Sequence, residues 1–265
     1  MPLWLVVIIL GIVEGVTEFI PISSTGHLLI AEHWLPRQSD LFNIVIQCGA
    51  VLAVLPLFSE RLVMLTRWRE ARSRSMLAKI ATAFLITAAG GLVLEKLNFK
   101  LPETVGPVAW ALIIGGFMFI LVEKWLKGRP ATEEIAWAAV IAVAVGQLVA
   151  AIFPGMSRSG STIIFAMVLG TNRAIATEFS FLVGIPTLLA AGALKTFKEL
   201  HGAPTGAVRE DWALLGLGAA VAAAVSFFAV KWLLRYVQHH TFIGFGVYRI
   251  ILGAGLLLLA LVTSK

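Results

Sequence analysis

The sequence predicts an all-α polytopic membrane protein made of two halves that repeat each other in inverted topology. Three observations carry that reading: the composition, a row of apolar segments of membrane length, and two polar breaks that match across the halves. Of 265 residues, 59% are hydrophobic and 14% charged, and the mean hydropathy is +0.92; ordinary soluble domains carry about 25% charged residues. The lone Cys48 excludes an internal disulfide. The net charge of +6 gathers in short connections between apolar segments, where basic residues mark the cytoplasmic side. Nucleic acid is therefore not the partner that this charge would suggest in a soluble protein. No Lys or Arg precedes the first apolar run and no small-residue cleavage site follows it, so that run is expected to be retained.

Apolar segments run over residues 3–20, 41–58, 77–95, 105–122, 135–153, 176–197, 212–234 and 242–262. Each is near the length a helix needs to cross hydrocarbon. The first ends at Pro21 and the fifth at Pro154, and each break leads through small hydroxyl residues into a short apolar stretch, 28–35 and 163–170. These stretches are too short to span, so both are expected to be re-entrant helices, tolerated where protein or a wet cavity satisfies the backbone. Gly184 and Pro186 are expected to break the sixth segment, and Gln47 and Gly49 to loosen its counterpart.

The breaks recur at nearly constant offset. Glu14 falls opposite Gln147, Pro21 opposite Pro154, Ser24 opposite Ser157 and, after a small insertion, Phe42 opposite Phe179. One membrane domain over 1–265 is thus expected, with repeat one at about 1–128 and repeat two at about 134–265. Each repeat has a broken helix, a re-entrant helix and three spans. The connection from Glu60 to Lys79 holds Arg61, Arg67, Arg69, Arg72, Arg74 and Lys79 against Glu60 and Glu70, so it is expected to be cytoplasmic. Its counterpart from Lys195 to Asp211 is balanced: Lys195, Lys198 and Arg209 face Glu199, Glu210 and Asp211. That difference implies inversion, and inverted repeats place their broken helices together near the midplane, where ligands bind. Trp68, Trp110, Trp125, Trp137, Trp212 and Trp232 lie near the expected span ends, as an interfacial belt requires.

The first break reads Glu14-Gly-Val-Thr-Glu18-Phe-Ile-Pro-Ile-Ser-Ser24-Thr-Gly-His27. Glu14 and Glu18, four apart, share a helix face; two carboxylates there can hold Mg²⁺ or Ca²⁺, or one can act as a base. Gly11 and Gly15 leave room beside them. Ser23, Ser24 and Thr25 begin a new helix, where free backbone N–H groups and hydroxyls suit phosphate or simple capping. His27 can move a proton or attack phosphorus. In the second break, Arg158 stands among Ser157, Ser159, Ser161 and Thr162 directly after Pro154-Gly155, a layout fit for clamping phosphate oxygens. The bland alternative is a structural ion pair between Arg158 and an acid of the first break. Asn172, Arg173 and Glu178 can form a second polar layer or merely a solvated loop.

These motifs, Glu14-x3-Glu18, Pro21-x-Ser-Ser24-Thr-Gly-His27, Pro154-Gly-x-Ser157-Arg158-Ser-Gly-x-Thr162 and Glu178-Phe-Ser-Phe-x3-Ile-Pro186, resemble those of the undecaprenyl-diphosphate phosphatase family, also called bacitracin-resistance proteins. The resemblance spans most of the chain. It implies an enzyme of the bacterial plasma membrane that removes the terminal phosphate of undecaprenyl diphosphate, requires a divalent cation, and opens toward the periplasmic or outer side. By motif position it implies Glu14, Glu18, Ser24, His27 and Arg158 as functional residues. The partners implied are the polyprenyl diphosphate lipid and the bilayer, with a homodimer left open. Ser24, His27 or a water is the attacking group; the favoured arrangement has Ser24 attack, His27 as its base, and Glu18 orienting the imidazole. The competing class is a lipid or anion transporter on the same scaffold, distinguished by whether phosphate is released. A phosphatase of the other lipid-phosphatase signature is disfavoured because no His-x3-Asp follows Arg158 at useful distance.

Overall fold

A computed structural model describes residues 1–97, 99, 104–202 and 211–263. Among them the regular structure is helical, with only an isolated bridge between Thr132 and Thr171. The helices are α1 (Leu3–Thr17), α2 (Ser24–Trp34), α3 (Asp40–Val54), α4 (Ser59–Thr66), α5 (Ala71–Lys96), α6 (Val105–Leu126), α7 (Trp137–Ile152), α8 (Arg158–Val168), α9 (Arg173–Gly202), α10 (Trp212–His239) and α11 (Ile243–Thr263). Six stretches are long and apolar enough to cross a membrane: α3 with α4, then α5, α6, α9, α10 and α11.

The other four are short for a physical reason. Pro21 and Pro154 follow α1 and α7 within four residues, and proline cannot donate the next helical hydrogen bond. The chain turns back as α2 and α8, 11 residues each; at 1.5 Å per residue such a helix covers about half of a hydrocarbon core of roughly 30 Å.

Similar helix pairs recur in the packing. α1 lies against α10 as α7 lies against α5, α3 touches α10 as α9 touches α5, and α6 pairs with α11 and α3 with α9. Small residues let the backbones approach, the usual device where lipid removes a hydrophobic drive. A Cβ on Gly116 would stand 2.6 Å from the carbonyl oxygen of Gly246, and one on Gly246 would stand 2.7 Å from that of Gly116. Gly11 and Gly15 serve the same purpose: the space beside them is filled by α10 at Gly218 and Ala222. The room expected beside these glycines is taken by a helix crossing. Outward faces are apolar, with Leu85, Phe117, Leu121, Phe228 and Ile251 exposed, and all six tryptophans of the expected belt are exposed as well.

Three local expectations change. α9 is continuous through Pro186, because one missing hydrogen bond does not stop a 30-residue helix that neighbours hold. α3 is unbroken at Gln47 and Gly49 and ends at the 3₁₀ turn Leu55–Phe58, which contains Pro56. The basic connection is mostly helical; only Arg67–Glu70 lies between α4 and α5, since Arg, Met, Ala, Leu and Lys are good helix formers. Of the balanced connection, α9 extends to Gly202 and Asp211 caps α10 through the N–H groups of Ala213 and Leu214; Arg209, Glu210 and the side chain of Glu199 lie outside the described residues.

Asn172, Arg173 and Glu178 are structural. Asn172 accepts the N–H of Ile175 at the start of α9. Arg173 grips the buried carboxylate of Glu123 at 2.6–3.0 Å, and Glu123 also accepts the N–H of Phe242, so one acid joins the ends of α6, α9 and α11. Glu178 pairs with Arg61 of α4.

Candidate active site

The two helix starts are built alike. Ser23 (φ 74°, ψ 104°) and Ser157 (φ 68°, ψ 116°) are the described non-glycine residues with positive φ. Such strain costs about 1–3 kcal/mol per residue and gathers at functional sites. The hydroxyl of each caps its helix, accepting the N–H of Gly26 at 3.4 Å and of Gly160 at 3.2 Å. The capping role therefore falls to Ser23 and Ser157, which leaves Ser24 and Arg158 as the first residues of α2 and α8. Their equivalence corrects the expected register by one residue: Ser23, not Ser24, stands opposite Ser157, because the second break has one more residue after its proline.

Ser24 and Arg158 meet through Glu18. The Ser24 hydroxyl donates to Glu18 Oε2 at 2.9 Å, and Arg158 Nη2 donates to Glu18 Oε1 at 3.3 Å. Glu18 is buried, and 13% of the Arg158 side chain is exposed. Arg158 Nε and Nη1 are buried with no hydrogen-bond partner. The guanidinium lies near the Phe19 ring and fills the space that a Gly184 Cβ would need. Glu14, one turn before Glu18, is also buried; its carboxyl lies against that of Glu18 and its Oε2 has no partner. The matching position of the other half holds Gln147, which donates to Thr87 at 2.9 Å.

His27 is placed differently from expectation. Its Nδ1 lies 2.7 Å from the Ser23 carbonyl oxygen, so it donates there, and its Nε2 lies 2.7 Å from the Tyr248 hydroxyl. The imidazole is hydrogen-bonded neither to Glu18 nor to Ser24; the Ser24 hydroxyl has Glu18 as its partner. Of the expected phosphate contacts, Ser159 and Ser161 are buried, and Thr162 is buried with its hydroxyl donated to the carbonyls of Arg158 and Ser159 within α8. Ser159 Oγ lies 3.2 Å from Ser157 Oγ. Thr25 is half-buried on α2 beside Ser24.

Three residues to which the sequence reading gave no part in the chemistry join the site. Tyr248 holds His27, Gly184 makes room for Arg158, and Arg249 is fully buried and bonded to both breaks. Arg249 had a signal, a cation inside an apolar segment. Tyr248 and Gly184 had none, since each acts through a distant neighbour.

Two carboxylates with a free oxygen next to two helix starts suit a hard divalent cation whose other ligands are phosphate oxygens and water. Among the described residues no group of three or more His, Cys, Asp or Glu side chains gathers that could hold a metal ion; Glu14 and Glu18 are two carboxylates that stand together at the site.

Residues 7–255 match the family model described as bacitracin resistance protein BacA. Similar proteins called undecaprenyl-diphosphatase include one from Rhizobium johnstonii, 55% identical over 94% of each chain. Others are one from Rhizobium etli, 54% identical over 97% of this chain and 96% of the relative, and one from Xylella fastidiosa, 49% identical over 94% and 96%. With its two capped helix starts meeting at one carboxylate and near-complete coverage by these relatives, the chain belongs to the bacitracin resistance protein BacA family.

Proposed function

We infer that this multi-pass membrane protein is an undecaprenyl-diphosphatase, a hydrolase that converts undecaprenyl diphosphate to undecaprenyl phosphate and inorganic phosphate. The observation that carries the site is the contrast between two ion pairs, each made to a buried carboxylate. Arg173 and Glu123 satisfy each other in bidentate fashion, as a structural pair does. Arg158 reaches Glu18 through one nitrogen and leaves two buried donors unmet. Unmet buried donors are costly, and a diphosphate supplies the missing acceptors.

The chemistry follows from the hydrogen bonds. Arg158 and the first N–H groups of α2 and α8 bind the diphosphate oxygens and stabilise charge as the phosphoryl group moves. The Ser24 oxygen attacks the terminal phosphorus and its proton passes to Glu18. The bond to the bridging oxygen breaks, and undecaprenyl phosphate departs with the proton from Glu18. Water then attacks the Ser24 phosphoester, giving one proton to Glu18 while Glu18 returns a proton to the Ser24 oxygen, so inorganic phosphate leaves and the site is restored. Glu14 and Glu18 would hold a divalent cation, Mg²⁺ or Ca²⁺, which would neutralise diphosphate charge. His27, anchored at both nitrogens, fixes the first turn of α2 and joins it to α11. Next to it an apolar groove of about 310 Å³, lined by Ile20, Ile22, Trp232, Tyr236, Phe245 and Tyr248, suits the first isoprene units.

The two halves are inverted in this reading, the protein lies in the bacterial inner membrane, and the site opens to the outer side; the basic α4–α5 turn supports that orientation. The test is phosphate release by purified protein in detergent from undecaprenyl diphosphate. Release is expected with Mg²⁺ or Ca²⁺ and should fall at least about tenfold with a chelator; lipid translocation without release would favour the transporter class instead. A finer check is Gly184→Ala. Its methyl group would displace the Arg158 guanidinium, so turnover should drop roughly tenfold or more with little change in thermal unfolding, a misplacement effect. Wild-type turnover would remove Arg158 from the mechanism.

A further inference from the structure

Arg249 is the most deeply buried cation described, and no part of the phosphoryl-transfer scheme uses it. Its side chain, fully enclosed, lies over the Phe119 ring and, among the described residues, bonds to no carboxylate. All its donors go to backbone carbonyls. Nη1 reaches Pro21 at 3.3 Å in the first break; Nη2 reaches Gly155 at 3.2 Å and Met156 at 2.9 Å in the second. Nη2 also contacts Ala111 at 3.3 Å and Nε contacts Leu112 at 3.5 Å, both on α6. Gly115 leaves the space that the guanidinium occupies.

The duplication shows what Arg249 replaces. Gly26 and Gly160 are the third residues of α2 and α8, matched by their capping bonds. A Cβ on Gly26 would meet Leu112 at 3.0 Å, and one on Gly160 would meet Arg249 at 2.9 Å. One half thus fills this place with a leucine and the other with an arginine. Packing alone asks only for the leucine, and an enclosed charge without a counter-ion is expensive. What the arginine adds is a set of donors long enough to bond both breaks at once.

We propose that Arg249 is a positioning residue for the phosphatase site, tying the backbone of the Pro21 turn to that of the Gly155–Met156 turn so that Ser24 and Arg158 keep their mutual placement. It touches neither Glu18 nor Ser24 among its bonds and acts through the two turns. The Met156 carbonyl that it holds belongs to the peptide whose N–H is that of Ser157, and a trans peptide directs that N–H the opposite way. Fixing this peptide also fixes a donor at the mouth of α8. The proposal rests on the phosphatase reading for its kinetic arm only; the geometric arm stands without it.

The experiment compares full-length wild type with Arg249→Leu, which restores the residue type of the other half, Arg249→Lys and Gly115→Ala. Amide hydrogen exchange and phosphate release are read on the same detergent preparations. In Arg249→Leu, peptides covering 19–24 and 153–158 should exchange at least about tenfold faster together, while the α6 and α10 interiors keep their protection. Turnover should fall about 100-fold with KM changed less than about threefold, the signature of lost alignment. Arg249→Lys, and Gly115→Ala by crowding the guanidinium, should give intermediate values. On an Arg158→Ala background, Arg249→Leu should cost less than about threefold more, because the two act through one alignment. Unchanged exchange at either turn, or wild-type turnover in a folded variant, overturns the proposal. Loss of protection throughout the chain in all three variants also overturns it, by making Arg249 a folding residue. Absence of phosphate release by wild type would instead overturn the phosphatase reading, leaving the exchange result to judge Arg249.

Discussion

Replacing Arg158 with lysine is expected to lower phosphate release by about 10²–10³-fold while the protein stays folded, the scale found when one preorganised donor to a developing oxyanion is removed. Lysine keeps the charge but loses the planar fork. In this site the fork matters because Nη2 serves Glu18 while Nε and Nη1 remain for the ligand; an ammonium cannot divide its donors with that geometry. The built-in comparison is Arg173→Lys. Arg173 spends its donors on Glu123 at the junction of α6, α9 and α11, so that change should lower the thermal midpoint more than it lowers turnover. Steady-state phosphate release and thermal unfolding on both variants check the pair. A large stability loss with normal turnover in Arg158→Lys would make Arg158 the structural partner of Glu18.

Glu18→Gln should reduce turnover by about 10²–10⁴-fold, the range for a lost general base, and Ser24→Ala should remove the covalent route altogether. The amide still accepts the Ser24 hydroxyl in the hydrogen bond now made to Glu18 Oε2 at 2.9 Å, but it cannot take the proton. Geometry is therefore kept and chemistry lost. Glu18→Gln also leaves Arg158 without its counter-charge, so substrate binding can tighten as turnover falls, a split between KM and kcat that a merely structural glutamate would not produce.

How much of this was legible in the sequence depends on the physics of each residue. Pro21 and Pro154 could be read directly, since proline ends a helix by removing a donor, and the hydroxyl runs after them announced new helix starts. The short lengths of α2 and α8 followed from the apolar stretches. Which serine caps was not legible. The second break carries one more residue after its proline, which shifts the frame by one residue relative to the simple alignment, and that single residue decides whether Ser24 points to Glu18 or caps its own helix. The contacts of His27 were not legible either: it is three residues from Ser24 in sequence, yet its ring nitrogens go to Ser23 and to Tyr248, 221 residues away. Glycine roles were ambiguous because the neighbour, not the glycine, carries the meaning. Gly184 looked like a helix break and proves to be the berth of Arg158, while the room beside Gly11 and Gly15 is taken by a crossing with α10. Pro186 misled because a break was inferred from the residue alone, without the packing that holds α9 through it.

The most direct measurement is recovery of a phosphorylated enzyme by rapid acid quench during turnover of undecaprenyl diphosphate, with the modified residue mapped by mass spectrometry. The account predicts phosphate on Ser24, abolished in Ser24→Ala and accumulating far more slowly in Glu18→Gln. Phosphate on His27, or sustained release by Ser24→Ala, would contradict it.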